Sequence, residues 1–155
     1  MEKVTLKLSE FYQLEAELNG VTNQQTGEVV IKGLLQQKIN LLTKYWLNDL
    51  AKKVSTEKES VEKLKEEIIK KYGKQDEQGG FSIPIYINEV KDEEGKIISA
   101  DINPDFNSFQ SEFNDLLNET RELEYKALSL DALSNVESDA NYPVFFKLLK
   151  IEEEA

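Results

Sequence analysis

The sequence predicts an α+β fold: one long central helix, about residues 33–72, with two β-hairpins and two or three shorter helices. Apolar residues recur every three or four positions through the middle of the chain. They alternate with polar residues in segments on either side of that stretch, and Gly-containing turns separate those segments. The 155 residues are expected to form a single domain, 1–155, with a frayed tail at 151–155.

The first 32 residues predict a strand, a short helix and a hairpin. Every other residue from 4 to 8 is apolar, which is typical of a half-buried strand. Ser9 is then expected to cap a helix that ends at residues 19–20. Two apolar segments, 21–22 and 29–31, flank a polar turn, which predicts a hairpin, with an extended loop as the alternative.

The long helix raises one question, because "KYWLNDLAKKVSTEKES" contains a possible break. Thr56 and Glu59 have the spacing of a capping box, which would begin a new helix. Against a break, no Gly or Pro intervenes and the apolar stripe keeps its phase across the junction. The stripe comprises Leu35, Ile39, Leu42, Trp46, Leu50, Val54, Val61, Leu64, Ile68 and Tyr72. We therefore expect one continuous helix.

A second hairpin is predicted after the polar, Gly-rich linker "GKQDEQGG". Phe81, Ile83, Ile85 and Ile87 would share one face of its first strand, and a turn at 92–95 would lead into Ile97 and Ile98. Pro84 lacks a backbone donor, which favours an edge position or irregular pairing. An edge strand with apolar neighbours is a possible docking site for another chain, although such edges are usually covered by loops.

Two further segments complete the predicted fold. Asn103 is expected to cap a helix that places Phe106, Phe109 and Phe113 on one face, as core residues or, alternatively, as anchors for a partner. Residues 123–130 have extended spacing, with a short helical turn at 130–133. A last helix is predicted to start near Asn141 and Pro143.

The charge of the chain is unevenly distributed. Residues 1–72 hold 12 lysines and 11 acidic residues, whereas residues 73–155 hold seven basic and 19 acidic residues. The helix-dominated half is therefore near neutral and the second half is acidic. An acidic surface repels phosphate backbones, which disfavours direct nucleic-acid binding. It could instead imitate DNA toward a basic partner, or simply be solvated.

The composition leaves little room for catalysis. The chain has no cysteine and no histidine, which excludes disulfides, thiolate and imidazole metal ligands, and histidine-dependent triads. No phosphate-binding loop or nucleophile motif occurs. Asp101, Asp105 and Glu112 could bind a divalent ion if they converged, but 30 acidic residues produce such groups by chance. We therefore predict no enzyme activity, catalytic residue, metal or cofactor.

The same composition bears on location. No apolar run approaches the length of about 18 residues that a membrane span needs. The N-terminal "MEKVTLKLSEF" lacks the apolar region and the cleavage site of a signal peptide. We expect an intracellular protein without membrane contact.

The order of segments resembles that of small uncharacterised proteins encoded by tailed bacteriophages. The resemblance rests on "LKLSEFYQLEAELNG", "GLLQQKINLLTKYWLNDL", "KEEIIKKYGKQDEQGGFSIP" and "NPDFNSFQSEFNDLL". It covers most of the chain and contains no catalytic motif. It implies a phage-encoded accessory or virion-associated protein, found in the bacterial host cytoplasm or in the virion, with no functional residues to carry over.

These observations together predict a non-enzymatic interaction protein. Its expected partners are phage structural subunits or further copies of itself, in an oligomer or larger complex. The candidate interface consists of Trp46, Val61, Leu64, Ile68, Tyr72, Ile83, Ile85 and Tyr86. The alternative is an acidic inhibitor of a host defence or nucleic-acid-binding protein, whose binding would weaken steeply with salt.

Overall fold

The computed structural model describes residues 1–136 and 142–149 and confirms the mixed α+β class. The helices are α1 (Leu8–Asn19), α2 (Leu41–Tyr72), α3 (Pro104–Leu117) and α4 (Pro143–Phe146), with 3₁₀ turns at Leu34–Gln36 and Leu130–Leu133. The strands are β1 (Glu2–Lys7), β2 (Val21–Thr22), β3 (Val29–Ile31), β4 (Lys74–Gln75), β5 (Phe81–Ser82), β6 (Tyr86–Lys91), β7 (Ile97–Ile102) and β8 (Thr120–Tyr125). They form four two-stranded antiparallel sheets, β1-β8, β2-β3, β4-β5 and β6-β7. The predicted tail at 151–155 and Asn141 lie outside the described residues.

The long helix α2 is continuous through the suspected break. It has 32 residues, which corresponds to a length of about 48 Å. The Thr56 hydroxyl donates to the Lys52 carbonyl at 3.0 Å, the bond that a threonine makes inside a helix. The predicted start at residue 33 is wrong, because the Asn40 side chain accepts from the Thr43 amide at 2.8 Å and caps the helix there.

The role of Thr56 can be tested by the sign of a stability change. Inside a helix, Thr56→Ala replaces a β-branched residue by the best helix former and should raise the free energy of unfolding by about 0.5 kcal/mol. A threonine cap would instead lose about 1 kcal/mol on the same change. Asn103→Ala is the control, because the Asn103 side chain accepts from the Asp105 amide at 3.1 Å and caps α3. This variant should lose the stability that an N-cap provides. Urea denaturation measures both changes, and a loss at Thr56 would contradict helix continuity.

The contacts of the chain group into two compact units. The first comprises residues 1–59 and 119–155, and the second comprises residues 60–118. Helix α2 contributes residues to both units. The boundary between the near-neutral and acidic halves, at 72/73, falls inside the second unit, and the single domain predicted for 1–155 stays a prediction.

The first unit holds most of the described core. Strands β1 and β8 pair from Glu2↔Tyr125 to Lys7↔Thr120, which brings together two distant parts of the chain. Alternation along these strands buries Leu6, Leu123 and Tyr125. Helices α1 and α2 add further buried side chains, namely Leu8, Phe11, Leu14, Leu18, Leu47, Leu50, Ala51 and Val54.

The C-terminal segment of the first unit is held by polar contacts with earlier elements. The buried Tyr142 hydroxyl donates to the Lys32 carbonyl at 2.7 Å and accepts from Gln37 Nε2 at 3.0 Å. Lys147 pairs with Glu10 at 2.6 Å. The predicted last helix is confirmed only as the single turn Pro143–Phe146.

Two local predictions in the first unit are wrong. Ser9 does not cap α1, because the helix begins at Leu8 with Lys7 as its N-cap. The Glu10 carboxylate accepts from the Lys7 amide at 3.1 Å. It therefore provides the hydrogen-bond acceptor for the N-cap amide at the start of the helix. In α2, Leu42 is exposed and Leu47 is buried. The buried face at the start of this helix is therefore rotated relative to the predicted apolar stripe.

The second unit is built from two small hairpins and two helical segments. The segment predicted as a linker contains β4, and Asp76 Oδ1 accepts from the amides of Gln78 and Gly80 at 2.9 and 2.8 Å to shape its turn. The larger hairpin has its turn at 92–95 as predicted, but β6 begins at Tyr86 rather than Phe81. Pro84 lies between β5 and β6. It has no backbone N–H to donate to a strand pair, so a position outside the strands agrees with the expectation of irregular pairing.

Helix α3 starts as predicted but does not form a core. The Asn103 side chain caps it and also donates to the Pro84 carbonyl at 2.8 Å. No residue of α3 is buried, so the core role expected for its phenylalanines is wrong. Phe109 and Phe113 are half-buried and stack on each other with ring centroids 5.8 Å apart.

Candidate interaction surface

The second unit has almost no buried core of its own. All residues from 60 to 118 are described, and among them only Val61 and Asn103 are buried. The first unit, by contrast, buries 17 hydrophobic residues among its described residues. A segment of 59 residues usually needs more internal burial than this to be stable. Its apolar side chains lie instead at the surface.

The β6-β7 hairpin carries the largest share of these exposed side chains. Six apolar residues in or next to it are between 48% and 67% exposed: Ile85, Tyr86, Val90, Ile97, Ile98 and Ile102. Tyr86 lies directly opposite Ile102, so these two side chains share one face. Neither strand packs extensively on another helix or strand of the described chain.

Local sequence explains the shape of the hairpin. Asp92 Oδ1 accepts from the Glu94 and Lys96 amides at 2.9 Å each, and Gly95 adopts φ 84°, which the tight turn requires. Asn88 has φ 54° and its side chain donates to Asp101 at 3.2 Å. The pairing register shifts on either side of Val90, as expected where a strand contains bulges.

A groove lies between the second half of α2 and α3, within the second unit. Its volume is about 570 Å³, and Leu64, Glu67, Ile68, Lys71, Glu112, Asp115 and Leu116 line it. Three apolar side chains lie among four charged ones, an arrangement that suits an amphipathic segment. Nearby, the Lys65 ammonium lies 5.3 Å from the centre of the Phe113 ring.

One exposed ion pair lies in the groove. Lys71 Nζ is 3.1 Å from Glu112 Oε1. Hydrogen bonds from Tyr72 and Lys71 lower the pKa of Glu112, and the bond to Glu112 raises the pKa of Lys71. Both shifts favour the charged forms, so this pair is a structural contact and provides neither an acid nor a base near neutral pH.

The predicted interface residues are distributed over both units. Trp46 is half-buried in the first unit, with its ring 5.0 Å from that of Tyr45. Val61 is buried, so it offers no accessible surface. Leu64 and Ile68 line the groove, Tyr72 and Ile83 are half-buried, and Ile85 and Tyr86 are exposed at the hairpin.

Other exposed apolar residues were absent from the predicted interface. Val90, Ile98 and Ile102 are exposed on the hairpin, and Leu41, Leu42 and Tyr45 are exposed at the start of α2. The sequence did contain a signal for the hairpin. Isoleucine occurs at both odd-numbered and even-numbered positions of β7, namely at Ile97, Ile98 and Ile102. A strand with one buried face would normally alternate apolar and polar residues.

The described residues offer no evident centre for metal chemistry. They contain no group of three or more acidic residues placed to hold a metal ion. Two of the three carboxylates considered from the sequence engage in other contacts, since Asp101 accepts from Asn88 and Glu112 pairs with Lys71. None of the described helices combines the length and the apolar character needed to cross a membrane.

Comparison with known proteins gives no relative: no family model, no curated protein and no solved structure matches the chain.

Proposed function

We propose that this chain is a non-enzymatic interaction protein whose second unit provides the contact surface for other protein chains. The observation that carries the proposal is the exposure of the β6-β7 hairpin in a unit with a single buried hydrophobic residue, Val61. Exposed apolar side chains are common singly, but a cluster of this size is characteristic of binding surfaces.

The free energy of burying the exposed hairpin side chains supports the same proposal. Complete burial of a valine or isoleucine side chain contributes about 1.5–3 kcal/mol. Residues such as Val90, Ile97 and Ile98 remain at least half exposed, so much of that contribution is still unused in the isolated chain. A partner that covers the hairpin would gain this contribution on binding.

A tagged copy of the chain tests the proposal in the cells that produce it. Proteins that copurify with the unchanged chain should be lost with the double variant Ile85→Ser and Tyr86→Ser. The control, Leu41→Ser with Leu42→Ser, removes residues of equal or greater exposure from the first unit and should retain them. Partners kept by the hairpin variant and lost by the control would contradict the assignment of the surface.

A more specific form of the proposal follows from the phage resemblance. We propose an accessory or virion-associated role in a tailed phage, with the chain in the bacterial host cytoplasm or in the particle. Mass spectrometry of purified particles tests this role. Detection at a fixed copy number per particle would support a virion component, and absence from both particles and assembly intermediates would contradict it.

Salt dependence separates this proposal from charge mimicry. Residues 60–118 carry 13 acidic residues and seven lysines, so their net charge is negative. Binding through the apolar hairpin should change little between low and high salt, because the hydrophobic contribution is not screened. A steep loss of affinity with salt would favour the acidic inhibitor instead.

A further inference from the structure

We propose that the groove between α2 and α3 binds a short amphipathic helix of another protein, with lysine or arginine on either side of its apolar face. This inference rests on the proposed function and names the chemical class of one partner. Its basis is an apolar groove floor, flanked by two carboxylates without a partner, in a unit that has almost no core.

The floor of the groove is apolar and is formed by both helices. Leu64 and Ile68 are about one turn apart on α2, and Leu116 belongs to α3. Leu64 is 44% exposed, and Ile68 and Leu116 are half-buried, so all three retain apolar surface that a partner can cover. Residues 60–118 bury only Val61 among their hydrophobic residues, so a helix in the groove would supply a core that this unit lacks.

The walls of the groove favour a helix over an extended strand. Both walls are α-helices, whose main-chain groups are bonded within each helix. They therefore offer side chains, but no row of free amides and carbonyls, to an incoming segment. From Leu64 to Lys71 the lining covers about two turns of α2, or about 11 Å. A helix of about three turns fills that length, with its apolar residues three or four positions apart.

The charges of the groove favour a basic partner. Four charged residues line it, three acidic and one basic: Glu67, Glu112, Asp115 and Lys71. Lys71 is paired with Glu112 at 3.1 Å. Glu67 and Asp115 are exposed and have no ion-pair or hydrogen-bond partner within the described part of the chain. A purely apolar or acidic helix would displace their water without compensation, whereas lysine or arginine beside its apolar face would pair with them.

Two synthetic peptides test the choice of partner. Each has about 15 residues with leucine at every third or fourth position, and they differ only in carrying lysine or glutamate at the flanking positions. The lysine peptide should bind the unchanged chain about tenfold more tightly than the glutamate peptide, as measured by fluorescence anisotropy. The double variant Leu64→Ser with Ile68→Ser should weaken binding of the lysine peptide by about tenfold or more, because it removes most of the apolar floor.

Reversal of the groove charges separates this site from general attraction to an acidic chain. Glu67→Lys with Asp115→Lys should make the chain prefer the glutamate peptide. The matched control is Glu93→Lys with Glu94→Lys in the turn of the β6-β7 hairpin, which changes the net charge equally at exposed positions. This control should keep the preference for the lysine peptide. Circular dichroism verifies that each variant is folded, and equal effects of the two charge reversals would overturn the inference.

Other occupants of the groove would give different results. If the hairpin variant Ile85→Ser with Tyr86→Ser abolishes peptide binding, the peptide binds the hairpin and the inference is wrong. If the unchanged chain forms a dimer in sedimentation equilibrium and Leu64→Ser with Ile68→Ser dissociates it, the groove binds a second copy instead. Failure of both peptides to bind would also overturn the inference. The proposed function would then still stand, because the copurification experiment tests it separately at the hairpin.

Discussion

Leu14→Ala is expected to lower the free energy of unfolding by about 3–5 kcal/mol. Leu14 lies on α1 and is completely buried, in the unit that holds nearly all of the buried hydrophobic residues among those described. Truncation of a leucine in such a site removes apolar contact and leaves a cavity that the surrounding side chains fill only partly. Many small domains would be near the limit of stability after a loss of this size.

The matched variant is Leu64→Ala in the second unit. Leu64 is 44% exposed, so the same chemical change should cost less than about 1 kcal/mol. Urea denaturation followed by circular dichroism measures both variants on one scale. Equal losses at the two positions would contradict the uneven distribution of the core.

Hydrogen exchange extends the same contrast to the backbone. Amides of β6 and β7 should exchange faster than those of α1, because local opening requires little loss of burial in the second unit.

Local chemistry made several elements predictable. The continuity of α2 followed from a stripe that keeps phase past Thr56, and the cap at Asn103 followed from its position directly before a proline. The turn at 92–95 followed from aspartate and glycine placed between two apolar segments. Each of these depends on residues within a few positions of one another.

Long-range pairing could not be predicted in this way. Strand β1 pairs with β8, from Glu2 with Tyr125 to Lys7 with Thr120, and nothing in one sequence identifies partners so far apart. The start of α2 was missed for a related reason. Leu34, Leu35 and Ile39 fit helical spacing, but Leu34 enters a 3₁₀ turn that packs near α1. Tertiary contact thus overrides local pattern.

The candidate surface was only partly predictable because periodicity indicates a face but not its burial. Val61 and Leu64 belong to one predicted stripe, yet Val61 is buried and Leu64 is exposed. Phe109 and Phe113 likewise have the spacing of core residues and stack on each other at half exposure. The burial of a side chain depends on which residues pack against it, and these neighbours are known only from the three-dimensional structure.

The second prediction with a large expected effect concerns Glu17, a buried carboxylate that accepts hydrogen bonds from backbone amides. It is only 1% exposed and accepts from the amides of Val144 and Phe145 at 3.4 and 3.0 Å. These amides begin the single-turn helix α4, so one side chain on α1 fixes the C-terminal segment in place.

Glu17→Ala is expected to lower the free energy of unfolding by about 2–4 kcal/mol, since it leaves two amides without their acceptor and creates a cavity. Glu17→Gln keeps the volume and one acceptor oxygen, so its loss should be about half as large. Glu15→Gln is the control on the same helix, because Glu15 is only partly buried in an ion pair with Lys58, and should cost less than about 1 kcal/mol.

The pH dependence of this difference tests the ionisation of Glu17. Burial raises the pKa of the Glu17 carboxyl above 4.5, with the hydrogen bonds from Phe145 and Val144 opposing the shift. A raised pKa means that the folded chain binds this proton more tightly than the unfolded chain, so the contribution of Glu17 to stability falls as pH rises through the folded pKa. The stability of the unchanged chain minus that of Glu17→Gln should therefore increase as pH is lowered from 7 toward about 4.5. Other carboxyl groups cancel in this difference, and a decrease over the same range would show that the amides, and not burial, dominate the pKa of Glu17.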